Sequence, residues 1–458
     1  MMFELSKKVY ERLNAAQLAF ISFAAVIFLG AFILLLPVAH HGRLSFVDAL
    51  FTSTSAVCVT GLTVVETGAK FTFFGQCVIL LLIQAGGLGI MTISTFLLFV
   101  IKRRASMQAS EAVGGSFLKL RRYTLAEMVS RALFLTFTLE FVGAAALCFR
   151  WMLDYPFKQA VWLSIFHSVS AFCNAGFSLF EENLEGYADD PTVNFTVMLL
   201  IVLGGIGFFV LIDLWDTIRR DPDPARRRVS FHTRIVIGMT ALLIVGGATA
   251  IFLVERWRNF EHLTLYQASI RCLFQSVTAR TAGFNTVNIG NLSEVSLFVL
   301  VILMFIGAAP GSTAGGVKVT TVGVLLMVVI SRVRRMSSPG FFGRSVDPRD
   351  LERALTLLLL AGVFIGAILM ALLALESGGA PHPKTKGMFL ELLFESTSAF
   401  GTVGLSTGIT PRLTSASKLL IAVLMFAGRL GPMTLIFAMS RMRPGIGYRY
   451  PSEQIMIG

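Results

Sequence analysis

Four segments of this 458-residue chain carry residue types that can surround a bare cation with backbone oxygen. In each, a short apolar stretch runs into a polar turn closed by glycine. The turns are Val59-Thr60-Gly61-Leu62, Asn174-Ala175-Gly176-Phe177, Thr281-Ala282-Gly283-Phe284 and Thr402-Val403-Gly404-Leu405. Glycine reaches backbone angles that residues with a Cβ adopt only at a cost, so successive carbonyls can be aimed to one side. Rings of such carbonyls can replace the hydration shell of a cation. The closing glycines lie 115, 107 and 121 residues apart, which marks a repeat. Thr60, Asn174, Thr281 and Thr402 are expected to support the turns through hydroxyl or amide contacts.

Two further features occur once each. The first is the run Gly307-Ala308-Ala309-Pro310-Gly311-Ser312-Thr313-Ala314-Gly315-Gly316-Val317-Lys318, which cannot hold a regular helix. It lacks the Gly-Lys-[Ser/Thr] ending of a phosphate loop and lies in apolar, membrane-length sequence, so nucleotide binding there is excluded. The second is Arg429, a charge inside an apolar stretch. Such a charge costs about 2.5–3.5 kcal/mol at a helix centre, so it faces a cavity or a partner. Glu140 and Asp213 are the acids that sequence offers it. Ser312, Thr313 and Lys318 are expected to make polar contacts in a water-filled cavity.

The elements that must position these residues are membrane helices. Hydrophobic residues make up 55% of the chain and charged residues 14%, against about 25% charged in soluble domains. Stretches near the roughly 20 residues that span a bilayer include 17–37, 76–101, 132–149, 193–214, 235–254, 354–375 and 418–439. The first is too long for a signal peptide's apolar region and has no small-residue cleavage site, so it is expected to be retained. Of 39 Lys and Arg, 25 fall in five blocks: 7–12, 102–131, 219–234, 332–353 and 441–449. The positive-inside rule makes these blocks and both termini cytoplasmic.

Between successive blocks lie three apolar pieces, and the middle one is too short to span. The order is long helix, short helix (46–59, 160–173, 265–279, 387–400), glycine turn, second long helix. This predicts an all-α integral membrane fold of four tandem helix–pore loop–helix repeats. Eight spanning helices and four re-entrant half-helices would stand in pseudo-fourfold arrangement around one pore. The repeats are expected at 1–122, 123–231, 232–350 (with the loop 307–318) and 351–443, followed by a C-terminal tail at 444–458. Each second long helix carries its own glycine signature (Gly86-Gly87-Leu88-Gly89, Gly204-Gly205-Ile206-Gly207, Gly307-Ala308-Ala309-Pro310-Gly311, Gly428-Arg429-Leu430-Gly431), read as close approach or local breaking. The short helices direct their partially negative C-terminal ends at the turns, which favours a cation. Asp48 and Glu391 suit the positive ends of two of them, and Glu395, Arg271 and Arg280 are expected to tie loops together.

Other function classes fit poorly. The five cysteines lie in or beside apolar segments without metal-ligand spacing. The six histidines form no His/Glu motif at ligand spacing, so a membrane enzyme is disfavoured. Alternating-access transporters commonly use inverted repeats, whereas these four share one orientation. The net charge of +12 resides in membrane-flanking blocks and implies no nucleic acid.

The four turns, in order and with flanking helices, resemble the selectivity-filter loops of the Trk/Ktr/HKT superfamily. Within it, length and span number are similar to the potassium-translocating subunits of bacterial Ktr systems. The resemblance covers nearly the whole chain. It implies a single-file potassium pathway in a bacterial cytoplasmic membrane, with the filter at Val59, Thr60, Gly61, Asn174, Ala175, Gly176, Thr281, Ala282, Gly283, Thr402, Val403 and Gly404. Plant relatives that prefer sodium carry serine at the first filter position, and Gly61 here implies potassium. It also implies a gate below the filter, formed by Gly311, Ser312, Thr313, Ala314, Gly315, Gly316 and Lys318 with Arg429 beside it. Implied partners are a second copy of the chain, the C-terminal tail being buried at that interface, and a cytoplasmic ring of regulatory subunits that bind adenine nucleotides. No cofactor is implied for this chain; potassium is the substrate, with sodium as a coupling or activating ion.

Overall fold

The three-dimensional structure is a computed structural model of the chain, which describes residues 15–105, 125–218, 229–335, 340–341, 344–345, 347–381, 385–431 and 434. Among these the fold is helical, and its one ladder pairs Gly340–Phe341 with Arg344–Ser345. The helices follow the predicted order four times. First come α1 (Ala15–Leu34), α2 (Phe46–Val57) and α3 (Phe73–Ala105). Next are α4 (Leu125–Trp151), α5 (Phe157–Phe172), α6 (Pro191–Gly205) and α7 (Phe208–Ile218). Then follow α8 (Phe231–Glu255), α9 (Leu265–Thr278), α10 (Glu294–Phe305) and α11 (Val319–Val333). The last set is α12 (Pro348–Ser377), α13 (Met388–Gly401) and α14 (Ser415–Leu430).

The short helices α2, α5, α9 and α13 hold 12 to 16 residues, too few to cross a bilayer. Side-chain caps start two of them: Ser45 accepts from the Asp48 amide, and Thr264 with Gln267 forms a reciprocal capping box. Each short helix packs against the long helix before it. In three repeats a serine hydroxyl donates to that helix's backbone: Ser53 to Ile27 O at 2.7 Å, Ser168 to Glu140 O at 2.6 Å, and Ser276 to Ile244 O at 2.7 Å. A glycine one turn along the long helix makes room for each serine. A Cβ on Gly30, Gly143 or Gly247 would stand 2.5, 2.7 or 2.5 Å from the hydroxyl. The fourth serine, Ser396, makes no such bond.

Among the second long helices, that of the second repeat differs from expectation, while α3 covers the predicted stretch 76–101 unbroken. Four described helices are long and apolar enough to cross a membrane, namely the first of each repeat, and a fifth span is a bent pair. The stretch 193–214, predicted as one span, is two helices, α6 and α7, meeting at 99°. Gly207 there has φ +83°, and the chain turns to meet the loop of the third repeat. In the third repeat the predicted break is present between α10 and α11. The fourth second helix is described to Leu430, and the predicted interface segment 444–458 lies outside the described residues.

The glycine signatures of the second helices are close-approach points in three repeats. A Cβ on Gly86, Gly204 or Gly428 would lie 1.9, 1.9 or 1.8 Å from the carbonyl oxygen of Val57, Phe172 or Phe400, at the end of that repeat's short helix. Backbone cannot yield as a flexible side chain can, so Gly86→Ala is expected to destabilise the fold by about 2 kcal/mol or more. Its melting temperature in detergent should fall by several degrees, whereas Gly238→Ala, in open space on α8, should leave it unchanged.

Candidate functional site

Each short helix delivers the chain into a turn with two left-handed residues. The first is Val59, Asn174, Thr281 or Thr402, at φ 55°, 59°, 78° and 50°; the second is the closing glycine, at 92°, 68°, 79° and 92°. A left-handed non-glycine residue is uncommon, and four at one repeat position signal a shared backbone requirement. The residue between them is tied back to the helix. Thr60 N donates to Ser55 O at 2.8 Å, Ala175 N to Ser170 O at 2.7 Å, Ala282 N to Thr278 O at 2.9 Å and Val403 N to Ser398 O at 2.8 Å. The same Ser or Thr also holds the turn with its hydroxyl. Ser55 and Ser398 accept from the amides of Gly61 and Gly404, both at 3.1 Å, while Ser170 and Thr278 donate to Phe177 O and Phe284 O.

The four turns close into a ring. A Cβ on Gly61 would lie 2.4 Å from Ala175 O, one on Gly176 2.7 Å from Ala282 O, one on Gly283 2.5 Å from Val403 O, and one on Gly404 2.1 Å from Thr60 O. Each glycine thus abuts the residue preceding the next turn's glycine, and the fourth returns to the first. All twelve predicted turn residues are buried. The ring is braced outside by pairs between repeats. Trp162 donates to Gln76, Arg271 to Asp189, and Lys418 pairs with Asp48 at 2.9 Å.

The support predicted for the turns needs correction. Thr60 Oγ1 and Thr281 Oγ1 have no hydrogen-bond partner. Thr60 is out of register, because Val59 is the repeat counterpart of Asn174, Thr281 and Thr402. Asn174, with its amide oriented to satisfy its surroundings, donates to Ile201 O and Ala171 O. Thr402 Oγ1 does not support its own turn but accepts from the Gly315 amide at 3.0 Å. Glu395 and Arg271 tie loops as expected, whereas Arg280 Nε has no partner.

The loop 307–318 touches every repeat, directly or through Arg429. Its base is a parallel bridge between Ile306 and Val317, with Gly307 N donating to Val317 O at 2.8 Å. It reaches the second repeat where Ala309 N donates to Gly205 O and Thr313 Oγ1 lies 3.3 Å from both Phe172 O and Gly204 O. Phe208 N, at the start of α7, donates to Gly311 O, so the unpredicted bend and the predicted loop form one unit. Ser312, Thr313, Ala314 and Gly315 are buried. Lys318 Nζ turns back onto Ala314 O at 2.7 Å and Gly315 O at 3.5 Å. Arg429 donates from one terminal nitrogen to Thr313 O and from the other to Gly86 O at 2.7 Å. It forms an ion pair with neither Glu140 nor Asp213. Glu140 instead meets Gln84 and the Cys173 thiol, and Asp213 accepts from Ser230 N and Thr233.

Glu395 is one member of a brace behind the turns whose other members, His167 and Gln275, sequence reasoning overlooked. His167, Gln275 and Glu395 hold one position, directly before a Ser-x-[Ser/Thr]-Ala motif present in all four short helices. Each reaches the segment after its turn: His167 Nε2 to Ser178 and the Leu179 amide, Gln275 to Thr286, Glu395 to Ser406, Thr407 and Thr410. The recurring Ser-x-[Ser/Thr]-Ala would have exposed this register.

Comparison with known proteins gives the family and the fold. The TrkH family of cation transport proteins matches residues 8–445. The chain belongs to that family. TrkH-family proteins are membrane cation transporters, not enzymes. Similar curated TrkH-family relatives include "Ktr system potassium uptake protein B" of Bacillus subtilis, 37% identical over 98% of this chain and 97% of the relative. Another is "Potassium/sodium uptake protein NtpJ" of Enterococcus hirae, 35% identical over 99% of each. Among solved structures, the crystal structure of the potassium transporter TrkH from Vibrio parahaemolyticus superposes with a TM-score of 0.72 at 20% identity, covering 92% of this chain and 84% of that one. That likeness establishes the TrkH fold here.

Thr402→Val keeps the shape of the side chain and removes the acceptor of the Gly315 amide. Amide hydrogen exchange of the loop peptide spanning 307–318 is expected to speed up by as much as about tenfold, with the other short helices unaffected.

Proposed function

We propose that this chain takes up potassium across a bacterial cytoplasmic membrane, through one pathway walled by four glycine turns. The observation that carries the reading is the closed ring in which each turn glycine abuts the backbone carbonyl of the next turn. Potassium as the ion is supported by the names of relatives at 37% and 34% identity over nearly their whole length. The four repeats, at 1–122, 123–231, 232–350 and 351–443, stand in pseudo-fourfold arrangement around that pathway. Both termini are cytoplasmic, as the basic blocks require.

In this reading Val59, Thr60, Gly61, Asn174, Ala175, Gly176, Thr281, Ala282, Gly283, Thr402, Val403 and Gly404 form the filter. Their backbone oxygens compensate the dehydration of potassium, and the C-terminal ends of the short helices lower the cost of holding a cation there. The gate is the segment Gly311, Ser312, Thr313, Ala314, Gly315 and Gly316 with Lys318 and Arg429. It lies against the filter through Thr402 and against the second repeat through Gly204 and Phe172. Withdrawing it breaks a limited set of hydrogen bonds rather than a packed helix interface. The name of one relative joins potassium and sodium, and sodium dependence belongs to the proposal. The working form is a homodimer in the bilayer, its C-terminal tails at the interface, on a cytoplasmic ring of regulatory subunits that bind adenine nucleotides.

Two substitutions test the pathway and the gate separately in liposomes holding purified protein. Gly283→Ser introduces a Cβ 2.5 Å from Val403 O and should weaken potassium affinity about tenfold and reduce discrimination against sodium. Wild-type affinity and selectivity in that variant would remove the filter assignment. Arg429→Ala frees Thr313 O and Gly86 O and should raise rubidium flux about threefold or more. An unchanged rate at equal protein density counts against Arg429 as part of the gate.

A further inference from the structure

Glu395 lies on α13, fully buried, nine residues before Gly404. The groups around its carboxyl are donors: Ser406 Oγ to Oε1 at 2.5 Å, Thr407 N to Oε1 at 3.2 Å and Thr410 Oγ1 to Oε2 at 2.9 Å. The Thr407 amide can only donate and the two hydroxyls are free to donate, so the ionised carboxylate can accept from all three, although burial opposes its charge until a cation is near. Among the described residues no basic side chain pairs with it. A buried charge at membrane depth needs an opposite charge. Ser406, to which it is bonded, is two residues beyond Gly404, at most about 7 Å along the chain from the ring of turns.

The counterpart positions carry no such charge. In the second repeat the residue is His167, whose Nε2 lies 3.3 Å from the Leu179 amide as acceptor and whose Nδ1 lies 2.8 Å from Leu163 O, the neutral tautomer. In the third it is Gln275, which donates to Thr286 and leaves its own oxygen without a partner. In the first it is Thr52, bonded within its helix to Asp48 O. The brace is therefore shared by three repeats, and its negative charge belongs to the fourth alone.

We propose that Glu395 is an affinity-determining residue of the pathway: its carboxylate, fixed behind the fourth turn, uses the permeating cation as its counter-charge. This rests on the filter reading above. The carboxylate does not touch the ion. It acts through the field across the turn, and so sets how tightly a cation is held rather than how the chain folds.

The test moves the charge instead of only deleting it. Rubidium uptake against concentration is measured in liposomes for wild type, Glu395→Gln, Gln275→Glu and the double variant. Glu395→Gln is expected to raise KM about fivefold, with the maximal rate within a factor of about two. Gln275→Glu adds a carboxylate at the equivalent site, where the Thr286 hydroxyl can donate to it, and should lower KM about threefold. In the double variant KM should return towards wild type. Unchanged KM in both single variants, or a KM raised in both and not restored in the double, overturns the proposal. Should Glu395→Gln fail to give a monodisperse protein, Gln275→Glu decides alone, and an unaltered or raised KM refutes the idea. If Gly283→Ser abolishes affinity while these variants leave KM untouched, only the charge proposal falls. If Gly283→Ser behaves as wild type, the filter reading itself has failed.

Discussion

Irregular backbone at membrane depth has neither water nor lipid to satisfy its N–H and C=O groups, and the molecule is arranged around that constraint. Four turns, each with two left-handed residues, meet where helix or sheet would be the ordinary solution. Each is satisfied from the short helix that enters it, by a backbone carbonyl and by the hydroxyl of the same Ser or Thr. In three repeats the short helix is in turn held by the long helix before it, through a serine that reaches a main-chain carbonyl past a glycine. The second helix of three repeats closes in from the other side, its glycine against the last carbonyls of the short helix. Glycine placement follows from this close backbone approach, with left-handed geometry an added requirement at the turns themselves.

The third repeat meets the same constraint differently. Its second helix opens into a loop whose polar groups are satisfied by the second repeat, by the fourth repeat's turn and by the loop itself. The second repeat answers with a bend at Gly207, where Phe208 N reaches Gly311 O. Departure from the common helix order of the repeats is thus a matched pair, loop and bend, rather than one irregular segment. The loop is held by hydrogen bonds from several neighbours, and Ala309 and Val317 anchor it in apolar clusters as well.

The elements were legible in the sequence because the signals that announce them are strong: long apolar runs, basic blocks in alternation, and a polar turn ending in glycine four times. The family followed from the turns together with their flanking helices. Pairings across the interior were less legible. Val193 to Leu214 is apolar apart from Asn194, Thr196 and Asp213, and only its Gly-Gly-Ile-Gly marks the 99° bend, a signature that leaves α3 unbroken around Gly86. Register within the turn was also lost, because Thr60 and Thr281 look alike in sequence although Val59 is the counterpart of Thr281. Arg429 was recognisable as a charge needing a partner, yet its partners are carbonyls of Thr313 and Gly86, which have no side-chain identity to read.

Those carbonyls give the loop its electrostatic character. Arg429 occupies Thr313 O and Gly86 O, while Lys318 occupies Ala314 O at 2.7 Å and approaches Gly315 O. Backbone oxygens of the loop and of Gly86 are therefore engaged by basic side chains of the protein itself, and under the proposed function these contacts stand in for those of a permeating cation. A tethered ammonium or guanidinium has a fixed, high local concentration, so a mobile ion competes poorly for the same oxygens. It also repels the next ion by its charge, in an interior where that repulsion is weakly screened. At the ring of turns the proposed balance is the reverse, with the C-terminal ends of four short helices and the Glu395 carboxylate favouring a cation. In the proposed reading, attraction at the ring and substitution at the loop are two uses of one interaction, a cation with backbone oxygen, the cation coming from solution in the one and from a side chain in the other.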